Sequence, residues 1–185
     1  MIKKIFKIIG IILVIILLPF CTYCSIIFFR LNSDRSLEYA PYTERDVEYA
    51  LNQLYDIYEY KPLSNRVYRN MLDEEFCLKV YFYQVIDLPD EINGWSNCWT
   101  RTIKIDKQIQ GYSYCKTLCH EMIHIKYCTG DETFTSYMTF VTLYESDNIH
   151  LKQVGAWFGI DQIDKCYRGE YNCRDYIIKY FKEKA

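Results

Sequence analysis

This chain has no excess of positive charge: 22 Lys and Arg stand against 24 Asp and Glu, for a net charge of −2. That balance argues against a nucleic-acid binder, which relies on a basic field. Histidine is scarce, at three in 185 residues. Beyond the first 30 residues there is no C-x-x-C pair, which makes a zinc ribbon a poor reading of the cysteines. No internal repeat and no low-complexity segment is present, so neither a repeat array nor a biased tract is expected. Charge is missing altogether from Ile8 to Phe29. That run is long enough to cross a hydrocarbon core of roughly 30 Å as a helix.

Lys3, Lys4 and Lys7 precede the uncharged run, and Arg30 and Arg35 follow it. The lysines favour a cytoplasmic N-terminus with the remainder exported, at the cell surface or in the envelope. A cleaved signal peptide is the competing reading. It would have a shorter apolar region and small residues before the cut. Here Leu17-Leu18-Pro19-Phe20-Cys21 places a bulky Phe at that point. The expectation is an uncleaved transmembrane signal anchor over 1–30, a linker over 31–42 and one domain over 43–185.

Half of the residues are hydrophobic, enough for a real core. The 19 tyrosines read as compositional bias rather than as a binding surface. In the exported body the cysteines read as a disulfide framework with one thiol left over: Cys77, Cys98, Cys115, Cys119, Cys128, Cys166 and Cys173. The preferred pairs are Cys166–Cys173 and Cys77–Cys98. Thr43 reads as a helix cap, with Glu44 and Asp46 in the first turn and Val47, Leu51, Leu54 and Tyr58 at helical spacing up to Pro62. Phe76–Val85 reads as a strand, broken by Leu88-Pro89-Asp90 and Asn93-Gly94. A second, half-exposed edge strand is expected over Cys98–Ile105. Helices are expected over Ser113–Tyr127, ending at Gly130, then from Thr129 or Asp131 through Phe134, Met138, Val141 and Glu145, and over Arg174–Lys184.

Two of the three histidines flank a glutamate as His120-Glu121-Met122-Ile123-His124. On a helix, residues four apart stack on one face, where two imidazoles can grip one zinc ion. Leu118, Met122 and Ile125 fall on the opposite face, so the back of the helix can pack while the front binds. A catalytic zinc takes a third protein ligand and keeps a fourth position for water. Glu121, off to the side, is the expected general base toward that zinc-activated water. A metzincin site would need a glycine at 127 and a histidine at 130, where this chain has Tyr127 and Gly130. Asp131, Glu132, Glu145 and His150 are the candidates for third ligand. If the chain reverses around 128–130, Glu132 returns to within about 4.5 Å of the level of His124 and Glu145 to within only about 15 Å. Glu132 is preferred and Asp131 is its rival. Tyr127, Tyr137, Tyr144 and His150 are candidate transition-state stabilisers. Tyr112 and Tyr114 read as packing at the helix start, and Cys119 as core or disulfide.

The run from His120 to His124, then Gly130-Asp131-Glu132 and an aromatic helix, resembles the zincin-fold metallopeptidases. It is most similar to the gluzincin branch, where a glutamate on the following helix completes the site. Trp99-Thr100-Arg101-Thr102-Ile103-Lys104-Ile105-Asp106 resembles the edge strand those enzymes lay beside an extended substrate. Gly130 to Met138 carries a weaker echo of the SprT-like group, but the histidine of that group is missing, so DNA-linked proteolysis does not carry over. The resemblance covers roughly residues 94–146. It implies an α+β fold, helices packed on a small, mostly antiparallel sheet. It also implies zinc on His120, His124 and Glu132, Glu121 as base, and hydrolysis of a peptide or protein substrate. The rival expectation is a non-catalytic, disulfide-stapled extracytoplasmic binding domain on the same scaffold.

Overall fold

The computed structural model describes residues 42–76, 80, 82–90, 92–164 and 173–185. The expected anchor and all of the expected linker but Tyr42 lie outside them, as do Cys77 and Cys166. Among the described residues no helix is long and apolar enough to cross a membrane. In chain order the elements are α1 (Glu44–Tyr55), α2 (Asn65–Phe76), β1 (Phe82–Ile86), β2 (Gly94–Asn97), β3 (Thr102–Asp106), α3 (Gly111–Tyr127), α4 (Glu132–Glu145), α5 (Ile149–Asp164) and α6 (Arg174–Lys184).

Thr43 starts α1 as expected. Its side chain accepts from the Asp46 N–H, and the Asp46 carboxylate accepts from the Thr43 N–H at 2.9 Å, a reciprocal capping box. The helix ends at Tyr55, before Pro62 is reached. The Phe76–Val85 strand is corrected at its start, because Phe76 closes α2. Tyr68, Leu72 and Phe76, one turn apart, are all buried, so the helical period governs there. The strand proper is Phe82–Ile86.

The sheet has the order β1-β3-β2, with β1 parallel to β3 and β2 antiparallel to it. It is therefore mixed, not mostly antiparallel. The expected edge strand is corrected as well: β3 is central, and β1 and β2 are the two edges. Residues 98–101 form the hairpin turn between them. The Asn97 side chain fixes that turn by accepting from the N–H groups of Trp99 and Thr100, both at 3.0 Å. Arg101, at φ 49°, supplies the left-handed residue.

Two apolar clusters hold the domain. One joins Ile103 and Ile105 of β3 to Leu118, Met122 and Ile123 of α3 and to Tyr68 and Leu72 of α2. The other joins α1, α4, α5 and α6 through Leu54, Phe140, Ala156, Ile177 and Phe181. A Cβ on Gly155 of α5 would lie 2.5 Å from the Tyr144 backbone N at the end of α4, so only glycine lets these two helices approach so closely. Leu118 and Met122 are each 1% exposed, on the back of α3. Truncating either to alanine would cost about 2–5 kcal/mol, and that packing also holds the opposite face of α3 in place.

Candidate metal centre

The start of α3 is tied to α2. Asn65 Oδ1 accepts from the Gly111 N–H at 3.1 Å, and Asn65 Nδ2 donates to the Ile109 carbonyl at 3.1 Å. Gly111 itself sits at φ 59°, a conformation open to glycine. The end of α3 is set by Cys128, which takes the left-handed conformation at φ 47°. The expected stop at Gly130 is thus made two residues earlier. Cys128 is disulfide-bonded to Cys98, at a Cα–Cα distance of 5.4 Å. That bond overturns the expected Cys77–Cys98 pair. It ties the turn after β2 to the end of α3. Cys115, Cys119 and Cys173 are buried thiols.

The reversal at Cys128 brings the start of α4 back beside α3. His120, His124 and Glu132 each offer one ligand atom, and those atoms lie within 4.8 Å of one another. His120 Nε2 is 2.9 Å from Glu132 Oε2, His124 Nε2 is 3.3 Å from Glu132 Oε1, and the two Nε2 atoms are 3.1 Å apart. His124 Nδ1 lies 2.7 Å from the Thr129 carbonyl oxygen. A carbonyl only accepts, so Nδ1 carries the proton and the neutral ring presents a lone pair at Nε2. The His124 lone pair, the His120 Nε2 atom and the Glu132 carboxylate thus converge on one point. Such a set repels itself unless a proton or a cation sits between its members, so the donor chemistry suits a metal ion.

The charges follow from this crowding. Burial holds the His120 ring below the ordinary histidine value, against the pull of Glu132. At His124 burial also opposes charge, but Glu132 and the Thr129 carbonyl outweigh it and the ring rises above 6.5. Burial would raise the Glu132 carboxyl, yet the two imidazoles hold it well below the usual carboxylate range.

The rivals of Glu132 are occupied elsewhere. Asp131 is the N-cap of α4 and accepts from the Phe134 N–H at 2.9 Å. Glu145 accepts from the Tyr180 hydroxyl at 3.1 Å and pairs with Lys184. His150 lies at the start of α5, outside the cleft lining. The candidate stabilisers Tyr127, Tyr137 and Tyr144 pack against Phe134, Tyr176 and Phe140 respectively, and none lines the cleft. Tyr112 and Tyr114 are core residues, and Cys119 is a core thiol.

A cleft of about 700 Å³ opens over the three ligand residues. Its walls are β2 on one side and α3, α4 and α5 on the other. Glu121, 6% exposed, lines it beside His120. Lys116 lines it too and was missed from the sequence, although it precedes His120 by four residues and so shares its face. Burial pulls its ammonium below the ordinary lysine value, while Asp161, Glu121, Cys173 and Glu132 oppose that. β2 was missed as a strand, since Asn93-Gly94 reads as a break.

Set against family models, curated proteins and solved structures, the chain matches none. The reading of this site therefore rests on its own geometry.

Proposed function

We propose that this chain is a zinc metallopeptidase of the gluzincin kind, with His120, His124 and Glu132 as ligands and Glu121 as general base. The observation that carries the reading is the cluster of three donor atoms with a carboxylate beside it, in a cleft walled by an edge strand. Zinc binds nitrogen and carboxylate oxygen at roughly 2.0–2.2 Å, so tetrahedral ligand atoms stand about 3.3 Å apart. The two imidazole Nε2 atoms stand 3.1 Å apart, and each lies close to one oxygen of the Glu132 carboxylate, His120 at 2.9 Å from Oε2 and His124 at 3.3 Å from Oε1, spacings of the same order. When bound, zinc supplies Lewis acidity that acidifies water and polarises a carbonyl.

The residues of the chain do the rest. His124 is locked in one tautomer by the Thr129 carbonyl. Glu121 sits in a largely buried position on the helix that bears both histidines. There it can take a proton from an attacking water and pass it to a leaving amine. β2 pairs with β3 along one edge, and its residues Gly94, Trp95 and Ser96 line the cleft. An extended peptide can add to that strand through main-chain hydrogen bonds, with loose sequence preference. The uncharged run Ile8–Phe29 supports placing this activity at a membrane, with the catalytic domain exported.

Metal analysis of the purified protein tests the proposal. One zinc per chain is expected, lost in His120→Ala and retained in Glu121→Gln, with peptide hydrolysis abolished in both. A folded wild type that takes up no metal would leave only the stapled binding domain.

A further inference from the structure

β2 and α3 lie side by side and run in the same sense. Gly94, at the start of β2, is packed against Thr117 and Glu121 of α3. Cys98, just past the end of β2, is bonded to Cys128, just past the end of α3. A peptide that adds to the free edge of β2 in the antiparallel sense, the more stable pairing, therefore points its C-terminal end toward the start of α3. Lys116 lines the cleft at that end.

Lys116 lies one turn before His120, about 6 Å along the axis, and helical side chains lean toward the N-terminus. Its ammonium thus stands about two extended residues beyond the metal cluster, at 3.3 Å per residue. Among the described residues its ammonium lies 5.6 Å from the centroid of the Phe158 ring and makes no salt bridge within 4.0 Å, though Asp161, Glu121 and Glu132 act on it electrostatically. Gln162 of α5 lines the same cleft. Its Oε1 already accepts from the Cys173 N–H at 3.4 Å, which leaves its NH₂ donors for the cleft. A cation and a neutral donor at the downstream end of a peptide groove suit a carboxylate.

We infer that Lys116, helped by Gln162, is a specificity residue that takes a substrate carboxylate about two residues downstream of the scissile bond. This rests on the peptide-cleft reading above. The carboxylate can be the C-terminus of the peptide, which would make the protein a trimmer of C-terminal ends, or an acidic side chain at that place.

The test uses binding, so that it does not depend on turnover. Three hexapeptides of alanine with one central tyrosine are titrated into zinc-loaded Glu121→Gln protein: the free acid, its C-terminal amide, and an amide whose last residue is glutamate. The free acid should bind about tenfold or more tightly than the plain amide. The glutamate amide reports the source: tight binding assigns an acidic side chain, weak binding assigns the C-terminus. Lys116→Met, which keeps the apolar stem, should erase the difference, and Lys116→Arg should restore it. Equal binding of all three peptides, or none by any, overturns the role of Lys116. A preserved preference for the carboxylate in a wild type that cleaves nothing would instead remove the peptidase reading and leave the carboxylate site in place.

Discussion

Gly94 and Glu121 touch across the floor of the cleft: a Cβ on Gly94 would stand 2.8 Å from Glu121 Oε1 and 2.7 Å from Thr117 Cγ2. The start of the edge strand therefore rests directly on the proposed base. Any side chain at 94 must push the strand outward or swing the Glu121 carboxylate. A shift of 1 Å in a catalytic group can cost on the order of 100-fold in rate. Gly94→Ala should lower kcat by about tenfold or more while metal content stays at wild-type level, because the atoms nearest to the added methyl belong to Thr117 and Glu121 and not to a ligand. Steady-state kinetics alongside metal analysis decide this. Loss of metal in that variant would mean that the strand supports the ligands, not the base.

The part of the site that the sequence made legible is the part set by helix geometry. His120 and His124 had to share a face, and a reversal after Tyr127 had to bring Glu132 near them. The unread parts have physical reasons. α5 was not anticipated because it is buried around most of its circumference, with Leu151, Gln153, Val154, Gly155, Ala156, Phe158, Gly159 and Ile163 all inside. A helix buried on several sides shows no single apolar stripe. β2 spans only Gly94–Asn97, too short for its alternation to be read, so β3 was taken for the edge strand. The Cys98–Cys128 bond depends on how the hairpin turn meets the end of α3, which no spacing rule encodes.

Glu132 and Asp131 are neighbours with opposite duties, one facing the imidazoles and the other capping α4. Their variants should separate cleanly. Glu132→Ala removes a donor atom and should weaken metal binding about 100-fold or more, since even loss of outer-shell partners costs 10–100-fold. Asp131→Asn keeps a good cap and should leave both affinity and melting temperature near wild type. Competition titration with a chelating dye gives the affinities. If the asparagine variant lost metal and the alanine variant kept it, the ligand assignment would be reversed.

Metal binding should displace protons, and His124 sets where. A metal takes the neutral imidazole. The His124 ring is held above 6.5, whereas burial holds His120 below it. As pH falls, a proton therefore competes at His124 first, beginning above 6.5, and at His120 only at more acid pH. Calorimetric titration of the metal in buffers of different ionisation enthalpy should show proton release already above pH 6.5. Glu132, held low by both rings, stays ionised throughout that range and contributes nothing to it. Release confined to pH below 6.5 would contradict the Thr129 carbonyl and Glu132 as the groups that charge the ring.

The Cys98–Cys128 bond closes a loop of 30 residues that contains the hairpin turn, β3 and all of α3. Loop-closure entropy assigns such a crosslink about 3.5 kcal/mol. Its place makes it more than a staple. Cys128 is the left-handed residue that turns the chain back, and the next residue, Thr129, supplies the carbonyl that fixes His124. Reduction frees that turn, so the Cys98→Ser/Cys128→Ser double variant should melt lower and also bind metal more weakly, by roughly 10-fold, the lower range for loss of an outer-shell partner. The two effects can be told apart by measuring affinity well below the melting temperature of the variant. A variant that melts lower yet binds metal as the wild type does would show that the turn holds His124 without the sulfur bridge.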